Sequence, residues 1–296
     1  GAEKGGRIET FVADLSDLNA VSRAADEIVE AFGGRVDFLI NNAGLAYLTP
    51  DFAHAQNIST AQGYDMVFGV NYLSHFLLTQ KLLPALEKSN LSPRIIQVSS
   101  SFHFLTDGAD LRPEKGGPPL SARDDVNTFF HRLRAYPSSK LAQILHARYL
   151  TRELQKVGSN VIALSICPGW VGTHVGGEVN RHTLERVAFP ADGFGLSTIL
   201  EAMFRPGVGR PDMNFVMNNL MLKFISTSMN NLGLTRPWAS VTGARDLATW
   251  AAAVICLYPQ KFFGAVQWTE SSPESYDEEI QESLYKWSNG AVSEWL

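Results

Sequence analysis

Tyr136 and Lys140 stand four residues apart in the run Tyr136-Pro-Ser-Ser-Lys140, a spacing that sets both on one face of a helix. The chemistry open to such a pair is proton transfer. A phenol titrates near ~10 and is a poor base at neutral pH, but a neighbouring ammonium favours its phenolate. Bringing it toward neutrality takes roughly 4 kcal/mol of differential stabilisation. One lysine in a partly buried site, helped by a second positive charge, supplies energy of that order. An isolated Tyr-x-x-x-Lys is more often a chance helix pair, so the weight falls on what accompanies it.

Three other clusters do. Ser99-Ser100-Ser101 follows an apolar run, and a hydroxyl there could hydrogen-bond a carbonyl oxygen as charge develops on it; alone, such a serine run is usually a turn. Asn41-Asn42-Ala43-Gly44 ends another apolar run, where small residues let a ligand approach the backbone; an ordinary turn reads the same way. Asn71 sits inside the apolar stretch Val70-Asn-Tyr-Leu-Ser-His-Phe-Leu-Leu78. An amide is locally unfavourable in such a helix, so it marks a kink, a water-holding position or a tolerated surface site.

These residues need elements to hold them. Arg7–Leu15 reads as a strand ending in an acid. Asp17 can cap the next helix, whose Leu18, Val21, Ala25, Ile28, Val29 and Phe32 share a face until Gly33-Gly34 stops it. Val36–Ile40 is a second strand, a helical region runs from about Thr60 to Leu86, and Arg94–Ser99 is a third strand. The spacing predicts a helix opening at Tyr136 and running to Val157, then a strand over Asn160–Cys167 closed by Pro168-Gly169. Leu247–Leu257 reads as a helix, Gly264–Trp268 as a late strand and Glu274–Trp287 as a terminal helix. Thr106–Asp125, rich in Gly, Pro and charge, is expected to be a surface loop. Strands alternating with helices predict an α/β fold with a doubly wound parallel sheet. Ligands then sit at the carboxyl ends of the strands, just after Leu15, Ile40, Val98 and Cys167.

Bulk properties bound the rest. With 296 residues, 45% of them hydrophobic, the chain can bury a large core as one domain over 1–296. A net charge of −5 without a basic run argues against nucleic acid as a partner. Cys167 and Cys256 form neither a disulfide framework nor a metal cluster, and the seven histidines lack metal-ligand spacing; His174 is more simply a surface-loop residue than a substrate contact. No apolar run reaches the roughly 18 residues of a membrane span. A cytoplasmic location is expected, with attachment at a membrane surface as the alternative; homo-oligomerisation stays open. Trp268, Trp287 and Trp295 read as packing anchors.

Taken in order, the motifs resemble the short-chain dehydrogenase/reductase family: Asp14-Leu15 at a strand end, Asn41-Asn42-Ala43-Gly44, Asn71, Val98-Ser99-Ser100, Tyr136-x-x-x-Lys140 and Pro168-Gly169-Trp170-Val171-Gly172-Thr173. The long Ser-to-Tyr loop, the Ala-Tyr-x-x-Ser-Lys-Leu-Ala context and the late run Ser271–Ser288 are similar to the retinol-dehydrogenase-like branch. The resemblance implies a Rossmann-like fold and an oxidoreductase using NADP or NAD, with NADP favoured, to interconvert a hydroxyl and a carbonyl. By the same resemblance, Tyr136 exchanges the proton with substrate, Lys140 lowers its pKa and binds the nicotinamide ribose, Ser100 polarises the carbonyl and Asn71 holds a water in the proton relay. Asp14, Leu15, Asn41, Ala43 and Gly44 would line the adenosine side, and Pro168, Gly169, Val171 and Thr173 the nicotinamide. Ser100 is favoured over Ser99 and Ser101 by one step of register.

The family's glycine turn, TGxxxGxG, is not found. Its glycines let a backbone approach the pyrophosphate at a helix N-terminus. By resemblance the chain starts just before the family's third strand, the first two βα units are missing, and weak dinucleotide binding by these 296 residues alone is expected. The competing expectations are a catalytically impaired binding or regulatory protein and, more weakly, an epimerase or dehydratase on the same fold.

Residues 174–245 fall where the family builds its substrate lid. Five of the six methionines lie between Met203 and Met229, with Met213, Met217 and Met221 at i, i+4, i+8 and Phe224 continuing the stripe. An amphipathic helix packed on the core explains this as well as an adaptable apolar pocket does; a membrane-surface helix is a third option, weakened by its few basic residues. The expected substrate is a lipophilic alcohol or ketone.

Overall fold

A computed structural model describes residues 6–46, 59–112, 129–169, 196–204, 215–217, 267–268 and 271–296. Asp17 caps the first helix, α1 (Leu18–Ala31), by accepting the Asn19 N–H, and Leu18, Val21, Ala24 and Ala25 form its buried face. Apolar runs of strand length give β1 (Phe38–Asn41), β2 (Arg94–Val98) and β3 (Ile162–Cys167). These pair in parallel and in sequence order, and Asn41, Gln97 and Ser165 fall in one register row. A short strand β4 (Phe215–Met217) continues the sheet in parallel, and β5 (Gln267–Trp268) closes it antiparallel.

Helices cover both faces. Ile95 of β2 and Ala163 of β3 pack with Leu39, Leu82, Leu86, Ala147 and Leu150 on one side. Their neighbours Ile96 and Leu164 pack with Ala202 on the other, the period of two expected of strands buried on both faces. The first face carries α1, α3 (Ser74–Glu87) and α4 (Phe129–Lys156); the second carries α5 (Leu196–Phe204). The terminal helix α6 (Glu278–Ala291), capped by Asp277, joins them through Ile280 and Leu284.

Several expectations change. Residues 6–15 pair with no strand among the described residues, and Ile8 and Val12 are 93% and 90% exposed. A strand exists only through a partner, which local pattern cannot supply. Tyr136 does not open its helix: α4 begins at Phe129, and Pro137 lies inside it. Three residues, Met66–Phe68 (α2), lead into a π-helical turn over Gly69–Leu73 before α3 begins. The terminal segment starts with a 3-10 turn, Pro273–Tyr276, ahead of α6. The predicted loop from Thr106 is in part interior, since Thr106 and Leu111 are buried; residues 113–125 lie outside the described residues. Met217 ends β4, whose ladder to β3 excludes a continuous helical stripe through it. Met213, Met221, Phe224, His174 and the expected helix over 247–257 lie outside the described residues. Trp287 and Trp295 pack against the core as expected. Among the described residues no helix is long and apolar enough to cross a membrane.

The π-helical turn depends on Gly69. A Cβ there would run into Thr60 Cγ2, and Thr60 is held by its N–H to the Tyr64 carbonyl at 2.8 Å and by its Oγ1, which accepts the Tyr64 N–H at 3.1 Å. Overpacking costs about 1–3 kcal/mol, more than the roughly 1 kcal/mol that alanine gains over glycine in a helix. Gly69→Ala is therefore expected to lower the melting temperature in a thermal scan; a raised value would show that Thr60 yields freely.

Candidate active site

The end of β2 and the middle of α4 bring the predicted residues together. Ser100 caps a 3-10 turn, Ser101–Leu105, its Oγ accepting the Phe102 N–H at 3.2 Å. Its neighbours are committed elsewhere. Ser99 Oγ donates to the Lys140 carbonyl at 2.7 Å, and the Ser101 N–H donates to Cys167 Sγ at 3.1 Å. Ser100 alone of the three is less than fully buried, and its hydroxyl hydrogen-bonds the Tyr136 side chain. The Tyr136 ring meets Phe102 edge-on, with centroids 5.7 Å apart.

Lys140 Nζ lies 5.5 Å from the centroid of the Tyr136 ring. It donates to the Val98 carbonyl at 2.8 Å and to Gln143 Oε1 at 3.2 Å. With three donors on an ammonium, one N–H remains without an acceptor among the described residues. Burial pushes the Tyr136 phenol up to about 12; the Ser100 hydrogen bond works against that and Cys167 adds to it. Burial also brings Lys140 down to about 8. The expected acidification of Tyr136 by Lys140 is thus not a property of the chain alone. The ammonium spends its bonds on two other acceptors, and desolvation of a phenolate outweighs its attraction at that distance.

Asn71 is wholly buried in the π-helical turn. Its Oδ1 accepts the Leu45 N–H at 2.8 Å, while Nδ2 donates to the Leu45 carbonyl at 2.9 Å and to Ser139 Oγ at 3.1 Å. Ser139 Oγ donates to the Tyr136 carbonyl at 2.8 Å. The Asn71 carbonyl takes Gln143 Nε2 at 2.8 Å and His75 Nδ1 at 2.9 Å, which fills both lone pairs of a carbonyl oxygen. Asn71 therefore clamps the loop after β1 to α4.

That loop completes the site. Gly44 lies where a Cβ would come within 3.2 Å of Asn71 Oδ1 and 3.6 Å of Lys140 Nζ. Ala43 is exposed and Gly44 partly so. Asn41 is buried, its Nδ2 donating to Thr79 Oγ1 at 2.9 Å while Oδ1 has no hydrogen-bond partner among the described residues; its side chain anchors the strand end. Asp14 is turned to its own loop, with Oδ1 accepting both the N–H and the hydroxyl of Ser16, and Leu15 packs on the core. Pro168 and Gly169 follow β3, Gly169 with a φ of +79°. Val171 and Thr173 lie outside the described residues.

A dinucleotide fits what is present. The bare Gly44 backbone, the remaining Lys140 N–H and the partly open Ser100 converge at the carboxyl ends of β1 and β2, where α/β sheets take such ligands.

Three supports escaped the sequence. Gln143 was visible only as a polar residue in an apolar helical run. His103 donates from Nδ1 to the Ser100 carbonyl at 2.6 Å and accepts the Ser272 N–H at Nε2, at 3.1 Å, tying the serine turn to the C-terminal segment. Cys167 bonds across strands to the Ser101 backbone.

Residues 1–106 match the family model for short chain dehydrogenase. Mouse (Mus musculus) retinol dehydrogenase 14 is 35% identical over 184 residues, covering 62% of this chain and 48% of the relative. Human (Homo sapiens) polyprenol dehydrogenase is 32% identical over 177 residues, covering 57% and 46%. The chain thus spans about half the length of the curated relatives it matches. A crystal structure of an uncharacterised protein from Mycobacterium paratuberculosis superposes with a TM-score of 0.59 over 98% of this chain and 78% of its own, at 24% identity; at that identity it supports the fold. Matched in sequence through residue 106 by that family model and 35% identical over 184 residues to a retinol dehydrogenase, the chain is similar to the short-chain dehydrogenase/reductase family, in its retinol-dehydrogenase-like branch.

Proposed function

We propose that the protein is an NAD(P)-dependent oxidoreductase that interconverts a hydroxyl and a carbonyl on a lipophilic substrate, with Tyr136 as the proton-exchanging group. The observation that carries this reading is the Tyr136 hydroxyl bonded to Ser100 beside a buried Lys140 that retains one open N–H. The cofactor, when bound, supplies the hydride chemistry. Lys140 and the backbone at Asn41, Ala43 and Gly44 would hold it, with Pro168 and Gly169 on its nicotinamide side and Val171 and Thr173 assigned there by resemblance alone. Asp14 and Leu15 would meet the adenine edge. NADP is the favoured form.

Tyr136 and Ser100 would share the substrate oxygen. The Ser100 hydroxyl donates to it and stabilises charge as it builds, and Tyr136 delivers the proton. A phenol held at about 12 keeps its proton at neutral pH, the form that donates in reduction. Asn71 acts as a positioning residue through Leu45 and Ser139. The lipophilic substrate class is supported by the names of the relatives, which act on retinol and polyprenol, both long apolar alcohols.

Turnover of the whole protein tests this. NADPH or NADH oxidation is followed with retinal, a long-chain aldehyde, a steroid ketone and a small polar sugar. Reduction of the apolar carbonyls is expected; activity confined to the sugar would overturn the substrate class, and no hydride transfer to any carbonyl would overturn the reaction.

A further inference from the structure

Between Lys140 and Asn71 lies a side chain that the proposed reaction does not use. Gln143 is fully buried one helical turn beyond Lys140. Its two hydrogen bonds admit one orientation. An ammonium can only donate, so it faces Oε1, at 3.2 Å; a backbone carbonyl can only accept, so it faces Nε2, at 2.8 Å. The carboxamide thus bridges the lysine to the backbone carbonyl of Asn71.

We propose that Gln143 is a positioning residue that fixes the Lys140 ammonium in the site by tying it to the Asn71 carbonyl. The inference rests on the function proposed above for its effect on turnover, though not for its effect on Lys140. Two observations support it. A buried ammonium needs acceptors, and Lys140 has two, the Val98 carbonyl and Gln143 Oε1. Asn71 needs its carbonyl filled, and the second donor, His75 Nδ1, comes from the opposite side, on α3. Removing the amide would leave one acceptor for the lysine and an open lone pair on the carbonyl. A carboxamide also does not pass protons as water does, so the bridge holds charge without conducting it inward.

Among the described residues, the ionisable groups facing Lys140 are Tyr136 on its own helix, Cys167 on β3 and His75 on α3. None carries a negative charge at neutral pH, since burial pushes the Tyr136 phenol and the Cys167 thiol up. The oriented amide and the Val98 carbonyl are then the groups that favour the charged lysine.

The test is the titration of Lys140, read by NMR on the lysine-labelled chain, with the signal identified by its loss in Lys140→Met. In Gln143→Leu the Lys140 midpoint is expected to fall by about one pH unit. The alkaline limb of kcat should move down with it, while KM for the carbonyl substrate stays within about twofold. Gln143→Glu, which puts a carboxylate at the same place, is expected to move the midpoint up by a similar amount. A folded Gln143→Leu variant with an unmoved midpoint would show that Gln143 only fills space. If the leucine variant does not fold, an unmoved midpoint in Gln143→Glu overturns the proposal in the same way. Should the parent protein reduce no carbonyl, the function proposed above falls, and the Lys140 titration still decides the role of Gln143.

Discussion

Tyr136→Phe is expected to lower kcat for carbonyl reduction by about 10²–10⁴-fold and to leave the fold intact. The variant deletes one oxygen. The ring keeps its edge contact with Phe102 and stays packed beside Ala135 and Val67. What is lost is the hydrogen bond to Ser100, a net change of about 1 kcal/mol in stability. Among the described residues, the neighbouring side chains other than Ser100 are largely bonded elsewhere. Lys140 is bound to Val98 and Gln143. Ser99 is bound to the Lys140 carbonyl, and both ring nitrogens of His103 are engaged. Steady-state rates with NADPH, read alongside circular dichroism and a urea melt, check the result. A folded variant within about tenfold of the parent rate would place the proton donor elsewhere.

Acidification is expected to destabilise the fold well before the carboxylates titrate. His146 is buried against Phe76, with ring centroids 4.7 Å apart, and neither of its nitrogens has a hydrogen-bond partner among the described residues. Burial holds its pKa down at about 3. Burial also brings His75 to about 4, opposed by its bond to the Asn71 carbonyl, with Lys140 adding to the depression. Unfolded, both titrate near ~6.5. Between those limits the unfolded chain binds more protons than the folded one, so stability is full above about 6.5 and falls as the pH drops. At pH 5 each histidine costs about 2 kcal/mol relative to neutrality, and the pair costs a large part of the roughly 5–15 kcal/mol that holds a domain together. Urea unfolding at pH 7 and pH 5 measures the loss. His146→Phe, which keeps an aromatic ring beside Phe76, should recover about half of it. An equal loss in parent and variant would show that His146 is not what acid attacks.

How the site could be read in sequence follows the same physics. The four-residue spacing of Tyr136 and Lys140, the serines closing β2 and the small residues after β1 are local signals, and periodicity told where each strand ends. The choice of Ser100 rested on one register step; in the structure the Ser99 hydroxyl is bonded to the Lys140 carbonyl and the Ser101 N–H to Cys167, while Ser100 is the more open of the three. Asn71 looked like an anomaly in an apolar helix and proved to be a clamp, because its partners, Leu45 and Ser139, come from elements 26 and 68 residues away. The methionine stripe misled for a similar reason. A 3.6-residue period says nothing about the neighbour that turns Phe215–Met217 into a strand.

The sequence by itself determined the alternation of strands and helices, the cap at Asp17 and the set of groups able to move a proton, because those depend on residues within one turn or one pleat of each other. Only the tertiary structure decided their ionisation and their partners. Burial lifts the Tyr136 phenol and lowers Lys140, and Gln143 joins Lys140 to Asn71. Desolvation and hydrogen bonding are set by whichever distant segments close around a side chain, and no local pattern encodes them.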